Sequence, residues 1–257
     1  MRDILEKISE RVSDAVCGLP RSFDIGEEIY MGADGTPTCR IDKVAEDVVL
    51  ECLDDMKLPW NVLSEEAGFV DRGGEKTLVV DPIDGTHNAL LGIPFYSVSL
   101  AVGASSLFDV DAGLVKNLVT GEVFYAGRGK GAVRGRTKLR VREYRPDESA
   151  FLVYLGKYAH DDSLKVAKAP ARTRSLGCAS LEMCMVAEGK LDVYYMNCEV
   201  YEKSIRVVDI AASALILREA GGQLVDLKGE DLDMPFDLKA RSNFLAFGDS
   251  KVKKVIL

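Results

Sequence analysis

The 257-residue chain has few of the side chains that bind soft metals. Its only histidines are His87 and His160, and its six cysteines form no Cys-x-x-Cys pair. A structural zinc site needs such ligands at close spacing, so the sequence favours reduced core cysteines over zinc. Basic residues are also fewer than acidic ones. The net charge of −8 argues against broad binding to nucleic-acid phosphates or anionic lipid.

Long hydrophobic runs are absent too. No apolar stretch approaches the roughly 20 residues that span a bilayer, and the opening MRDILEKISERV predicts an amphipathic helix rather than a signal peptide. With 47% hydrophobic and 29% charged residues, the composition is typical of a globular protein with a sizeable core. We expect a cytoplasmic protein.

Hydrophobic periodicity predicts two halves of different character. Strand-like runs separated by turns over residues 96–133 predict an antiparallel sheet, whereas helices and strands alternate after residue 150 as in an α/β unit. The polar stretch 138–148 marks the boundary. We therefore predict an N-terminal α+β half, 1–145, and a C-terminal α/β half, 146–257.

Helical spacing predicts two helices before the first sheet. The first runs from about Ile4 and stops near Gly18. The second has its apolar face from Ile41 onward, with Pro37 near its start and Asp42 in its first turn.

The stretch VVDPIDGTHN, residues 79–88, places Asp81 and Asp84 at the end of a hydrophobic strand. Two carboxylates held this close repel unless a proton or a cation intervenes. The sequence places no arginine beside them, so either one aspartate is protonated or divalent cations lie between them. Oxygen ligands without nearby histidine or thiolate favour magnesium over zinc.

Other motifs fit less well. The positions between the two aspartates are Pro82 and Ile83, which breaks the EF-hand pattern, and the spacing is not the Asp-x-Asp of an aspartyl phosphotransferase. The segment GRGKGAVRG, residues 127–135, lacks the order of a phosphate-binding loop and predicts a hairpin turn. Gly85 and Thr86 add a turn whose N–H groups can face a phosphate, and the alternative is an ordinary Asp-Gly turn.

Three motifs together resemble the inositol monophosphatase family: Ser64-Glu65-Glu66, DPIDGT at 81–86, and VDIAA at 208–212 followed by REAGG. The segment MGADGTPTCRIDKVAED is most similar to its archaeal branch, whose members hydrolyse inositol monophosphates and fructose 1,6-bisphosphate. The resemblance implies a layered αβαβα sandwich of the sugar phosphatase type, usually a homodimer. It also implies two to three magnesium ions at the junction of the two halves.

The resemblance further implies a role for individual residues. Asp42 and Thr86 would activate the attacking water. The implied metal ligands are Glu65, Asp81, the carbonyl of Ile83, Asp84 and Asp209. The implied substrate contacts are Asp84, Gly85, Thr86, Arg174, Gly177, Cys178, Ala179 and Glu202.

Several of these residues have an ordinary structural interpretation. Gly177 to Ala179 is also a strand-to-helix turn, and Arg174 and Glu202 are also typical surface charges. Binding of a second substrate phosphate depends on whether Lys203 or Arg206 supplies positive charge.

Three alternative functions are compatible with the sequence and with this resemblance. The first is a magnesium-dependent phosphatase for inositol 1-phosphate or fructose 1,6-bisphosphate, and the second a phosphatase for 3′-phosphoadenosine nucleotides. The third is a non-catalytic regulator, which retention of all the motif residues disfavours. We also expect the glycine-bearing segment from Met31 to Thr36 to become ordered only with metal and substrate.

Overall fold

The computed structural model describes residues 1–20, 24–33 and 35–257. The helices are α1 (Arg2–Cys17), α2 (Arg40–Asp55), α3 (Thr86–Leu90), α4 (Asp161–Ala167), α5 (Ala179–Ala187), α6 (Val207–Glu219) and α7 (Lys253–Ile256). Short 3-10 turns cover Leu107–Asp109, Pro146–Glu148, Tyr201–Lys203 and Ser250–Val252. None of the helices in this described part has the length and apolar character of a membrane span.

Within the described ranges, two large sheets and two small ones contain the strands. These are β1 (Glu28–Met31), β2 (Pro37–Cys39), β3 (Asn61–Ser64), β4 (Gly68–Val70), β5 (Thr77–Asp84), β6 (Ser97–Gly103), β7 (Ala112–Asn117), β8 (Val123–Gly127), β9 (Ala132–Arg134), β10 (Thr137–Lys138), β11 (Ala150–Val153), β12 (Arg172–Arg174), β13 (Val193–Met196), β14 (Ile205–Arg206), β15 (Gln223–Val225), β16 (Arg241–Ser242) and β17 (Phe244–Phe247).

The eight-stranded sheet has the order β10-β9-β8-β7-β6-β5-β3-β4. It is antiparallel except where β3 and β5 run parallel. This confirms the antiparallel sheet predicted for residues 96–133, and the GRGKGAVRG segment is the hairpin between β8 and β9. The five-stranded sheet, order β12-β11-β13-β17-β15, is mixed, because β17 runs antiparallel to both its neighbours.

Side-chain alternation along the strands produces five layers. In β5, Leu78 and Val80 pack with α1 and α2, whereas Val79 faces the layer of α5 and α6. In β13, Tyr194 contributes to that same central core, whereas Tyr195 lies in the outer core with α4. The layers are thus α1/α2, sheet, α5/α6, sheet and α4/α7, which confirms the αβαβα sandwich.

Helix α6 lies at the centre, and its residues from Val207 to Leu217 are buried. It approaches β7 so closely that a Cβ on Gly113 would meet the Ala212 carbonyl oxygen at 2.7 Å. The central core therefore contains residues from both sides of the proposed boundary at 145/146. The division into two halves stays a prediction.

Some local predictions need correction. Pro37 lies in strand β2 and not in the second helix, whose first residue is Arg40. Cys17 is exposed and Cys39 is half-buried, so only the other four cysteines belong to the core. In the Met31–Thr36 segment, the Gly32 amide donates to the Thr36 carbonyl at 2.8 Å, while residue 34 lies outside the described residues. Ordering of this segment by ligands stays a prediction.

Candidate metal centre

Strand β5 delivers two aspartates through a bulge at its end. Opposite β6, Asp81 pairs with Ser99 and Asp84 with Ser97, so three steps on β5 match two on β6. Pro82 lies in the bulge, where a residue without an N–H is tolerated. Asp81 belongs to the carboxylate cluster described below, whereas Asp84 is bound by residues at the N-terminus of α5.

Carboxylates from three elements meet beside this bulge. Glu65 follows β3, Asp81 lies in β5 and Asp209 in the first turn of α6. One carboxylate oxygen from each lies within 4.8 Å of the others. Since β3 and β5 are parallel neighbours, their C-terminal ends meet at one edge of the sheet, and α6 brings its N-terminus to that edge.

Arg206 reaches into this cluster, which the sequence did not predict. Its Nη1 lies 2.5 Å from Glu65 Oε1, and its Nη2 lies 2.7 Å from Asp209 Oδ1. The sequence places no arginine beside Asp81 and Asp84, and Arg206 reaches this part of the fold only through tertiary packing, where it pairs with Glu65 and Asp209. The i,i+3 spacing of Arg206 and Asp209 at a helix start was an available signal, but Glu65 is 141 positions away in the chain.

Asp84 is oriented toward the N-terminus of α5. Its Oδ2 accepts hydrogen bonds from the Ser180 amide at 2.6 Å and the Cys178 thiol at 3.1 Å, and its Oδ1 accepts one from the Ala179 amide at 3.1 Å. Burial raises the pKa of the Cys178 thiol, and the charge of Asp84 raises it further, so the sulfur stays a proton donor. The predicted role of Asp84 as a metal ligand stays a prediction.

Asp42 and Thr86 are in direct contact, as the resemblance implies for a water-activating pair. Thr86 Oγ1 lies 2.8 Å from Asp42 Oδ1 and 2.8 Å from the Ile83 carbonyl, and its single proton can be donated to either. Asp42 is 4% exposed. Burial raises its pKa to about 6, against the opposing effect of the Thr86 hydrogen bond. Gly85 precedes Thr86 with φ of 88°, a conformation that favours glycine.

The fold disfavours the ionised form of Asp81 when nothing neutralises its charge. Burial raises its pKa well above the ordinary aspartate value, and the charges of Glu65, Asp84 and Asp209 raise it further. Among the described residues, its Oδ1 is buried without a hydrogen-bond partner. A buried carboxylate oxygen without a partner is costly, and a hard divalent cation satisfies it. The donor set fits such an ion.

Two cavities adjoin the carboxylate cluster. One, of about 530 Å³, is lined by Glu65, Arg206, Asp209, Glu202 and neighbouring residues. The other, of about 220 Å³, is lined by residues that include Asp84, Gly177, Cys178 and Ala179. The structure therefore brings these predicted substrate contacts to the cavities.

Arg174 is placed differently. It is exposed on β12, lines neither of these cavities, and donates to the Thr173 carbonyl at 2.7 Å. A role for Arg174 at the substrate stays a prediction without support from its position.

Two buried glutamates support the segment that carries Glu65: Glu66, which belongs to the same motif, and Glu46, which the sequence analysis did not identify. Glu46 Oε1 accepts hydrogen bonds from the Ser64 hydroxyl at 2.5 Å and the Ala67 amide at 2.9 Å. Glu66 accepts one from Thr38. Glu46 lies one helical turn after Asp42 in α2, which is the signal that could have identified it.

The sequence matches the inositol monophosphatase family over residues 11–254. The chain belongs to the inositol monophosphatase family. A fructose-1,6-bisphosphatase/inositol-1-monophosphatase from Methanothermobacter thermautotrophicus is 36% identical, with 100% of this chain and 95% of that protein covered. A bifunctional NADP phosphatase/NAD kinase from Methanococcus maripaludis is 35% identical over 90% of this chain, but over only 44% of its own length.

A solved structure agrees with this assignment. A protein from Pyrococcus horikoshii, described as having similarities to inositol-1 monophosphatase, superposes with a TM-score of 0.85 at 30% identity, covering 99% of this chain and 96% of that one. As a member of the inositol monophosphatase family, the chain is a phosphatase of a metal-dependent class.

Proposed function

We propose that this phosphatase uses magnesium to hydrolyse small phosphate monoesters, with inositol 1-phosphate and fructose 1,6-bisphosphate as its substrates. The observation that carries the proposal is the buried, unpartnered Oδ1 of Asp81 within a cluster of three carboxylates. The names of the archaeal relatives support the two substrates.

The metal ions would be held mainly by carboxylates from β5, from the residue after β3 and from α6. Glu65, Asp81 and the Ile83 carbonyl would bind the first ion, and Asp81 with Asp84 and Asp209 the second; Glu65 would assist a third. When bound, magnesium supplies charge neutralisation for the phosphate and for the departing oxygen.

The chain's own residues would position and deprotonate the attacking water. Thr86 Oγ1, held 2.8 Å from Asp42 Oδ1, would orient the water and relay its proton. Asp42 would receive that proton, which its raised pKa of about 6 favours. Amide groups of the turn at Gly85 would face the substrate.

A second candidate is a phosphatase for 3′-phosphoadenosine nucleotides or related dinucleotides. The relative named as an NADP phosphatase favours it. So does Tyr201, which lines the larger cavity and is 59% exposed, because an exposed aromatic ring can stack on a base.

Homodimer formation and a cytoplasmic location belong to the same proposal. All six cysteines are free, which suits a reducing compartment. Light scattering after size-exclusion chromatography tests the dimer, and fractionation of cells tests the location.

The activity is tested by phosphate release from inositol 1-phosphate, fructose 1,6-bisphosphate, 3′-phosphoadenosine 5′-phosphate and NADP⁺, each with magnesium or with EDTA. We expect magnesium-dependent turnover of the first two. Turnover of the nucleotides alone would support the second candidate. No release from any of them by folded, magnesium-loaded protein would contradict the proposal and favour a non-catalytic regulator.

A further inference from the structure

The guanidinium of Arg206 occupies the position of a cation between two of the clustered carboxylates. It contacts Glu65 Oε1 at 2.5 Å and Asp209 Oδ1 at 2.7 Å, and its side chain is only 17% exposed. The charges of Asp209, Glu65 and Asp81 all stabilise its protonated form against the cost of burial. A permanent positive charge thus reduces the repulsion among the carboxylates in the protein without metal.

The backbone of Arg206 is fixed independently of its side chain. Its amide donates to Asp209 Oδ2 at 2.7 Å as the N-cap of α6, and β14 pairs Arg206 with Arg241 of β16. Removing the side chain therefore leaves one of the hydrogen bonds that position Asp209, the one from the Arg206 amide. Only the Arg206 side chain needs to move for Glu65 and Asp209 to become available to a metal ion.

A divalent cation and this guanidinium cannot share the same oxygens at low cost. An ion that binds a carboxylate oxygen lies roughly 2.1 Å from it, so it would come within about 5 Å of a guanidinium on that oxygen. Like charges at this distance in a poorly solvated site repel strongly. The side chain has space to turn aside, because Arg206 also lines the cavity of about 530 Å³ beside Glu202.

We propose that Arg206 is an internal counter-ion of the metal centre, which holds Glu65 and Asp209 while the metal is absent and competes with one bound ion for them. This inference rests on the proposed metal dependence. It makes Arg206 a positioning residue that lowers the affinity for metal, and therefore sets the concentration at which the enzyme becomes loaded.

The test measures binding of Mn²⁺ alone, by electron paramagnetic resonance of the free ion and by calorimetry. The variants are Arg206→Gln and Arg206→Met, which remove the charge. We expect both to bind Mn²⁺ about tenfold more tightly than the wild type, since the competitor is gone. In EDTA both should have a lower Tm than the wild type, and Mn²⁺ should raise their Tm by more than it raises that of the wild type.

Arg142→Gln is the matched control. Arg142 also pairs with a buried carboxylate, with its Nε 2.7 Å from Asp192 Oδ1, but Asp192 does not belong to the cluster. This variant should lose stability and keep the Mn²⁺ affinity of the wild type. A variant of Arg206 that folds only with Mn²⁺ present supports the counter-ion role.

Unchanged or weaker Mn²⁺ binding by both folded Arg206 variants would overturn the inference while leaving the proposed function intact. Absence of Mn²⁺ binding in the wild type and in both variants would overturn the metal dependence and the inference together. Binding by the variants alone would support the inference, because the competitor would then dominate in the wild type.

Discussion

Asp81 and its neighbours illustrate how individual residues prepare the site. Asp81 is 2% exposed and has an unpartnered oxygen, whereas Asp84 has its oxygens bound by two amides and a thiol. The two aspartates are three positions apart, but their side-chain oxygens have very different hydrogen bonding. Burial raises the pKa of Asp84 above its ordinary value, but its hydrogen bonds with Ser180 and Cys178 oppose that rise, whereas the unpartnered oxygen of Asp81 requires a cation.

The contact between Thr86 and Asp42 leads to a prediction about the pH dependence of turnover. If Asp42 must be ionised to accept a proton, kcat should rise with pH through about 6, the pKa that burial gives this carboxyl. Thr86→Val removes the hydrogen bond that lowers that pKa, so the acid limb should move to higher pH. We also expect kcat to fall by on the order of 100-fold.

Thr86→Ser is the matched control, since it keeps the hydroxyl. Its acid limb should coincide with that of the wild type in steady-state kinetics over pH 5 to 9 at saturating magnesium. An unchanged profile for Thr86→Val would show that Asp42 does not provide this limb.

Glu182 gives a prediction about stability. It is 3% exposed, and burial raises its pKa to about 7 from an ordinary value of 4.5. The folded state thus binds this proton more tightly than the unfolded state. The stabilisation is fully present below about pH 4.5 and is lost as pH rises through about 7, by up to about 3 kcal/mol.

Glu182→Gln imitates the protonated form and can still accept the hydrogen bond from the Leu176 amide, which is 2.8 Å long. We expect its free energy of unfolding in urea to exceed that of the wild type at pH 8 and to match it near pH 5. A constant difference at both pH values would mean that Glu182 does not titrate in this range.

At the scale of whole elements, α6 organises the molecule through its approach to the sheet. Gly113 lacks the Cβ that would come within 2.7 Å of the Ala212 carbonyl oxygen and 2.9 Å of its Cα. Backbone atoms cannot yield as flexible side-chain ends can. Gly113→Ala should therefore lower the free energy of unfolding by about 2–3 kcal/mol, measured by urea denaturation.

Gly127→Ala, at the end of β8, is the control for this substitution. Its added Cβ would meet only the Tyr125 hydroxyl at 3.3 Å and atoms of the flexible Lys130 side chain. We expect a change within about 0.5 kcal/mol. Equal losses in the two variants would indicate that α6 can move away from β7 at little cost.

Some helices and strands could be predicted from sequence patterns and others could not. Helical and alternating periodicity predicted α1, α2 and the antiparallel strands, because one buried face leaves a regular pattern. The same patterns placed Pro37 wrongly, since Pro at a helix start and Pro in a short strand look alike in sequence. The resemblance to the family motifs, and not a local pattern alone, predicted that Glu65 and Asp209 join Asp81. The pairing of Arg206 with Glu65 depends on tertiary packing and has no local pattern.

At the scale of the whole molecule, the carboxylate cluster joins parts of the chain that are far apart in sequence. Asp81 lies in the eight-stranded sheet, Glu65 directly follows its strand β3, and Asp209 lies in α6 between the two large sheets. A cation bound by all three would link these layers. Binding to the folded state alone at 100 times the Kd adds about 2.7 kcal/mol to the free energy of unfolding.

We therefore expect magnesium to stabilise together the elements that supply the ligands, rather than those of one half of the chain alone. In hydrogen exchange, magnesium with inorganic phosphate should slow exchange both after β3 and at the start of α6, relative to EDTA. The outer helix α7 should change little, because it contributes to the separate outer core. Protection confined to one side of residue 145 would mean that the metal is held by only one half of the chain, and the proposed ligand set would then have to exclude either Asp209 or Glu65 with Asp81.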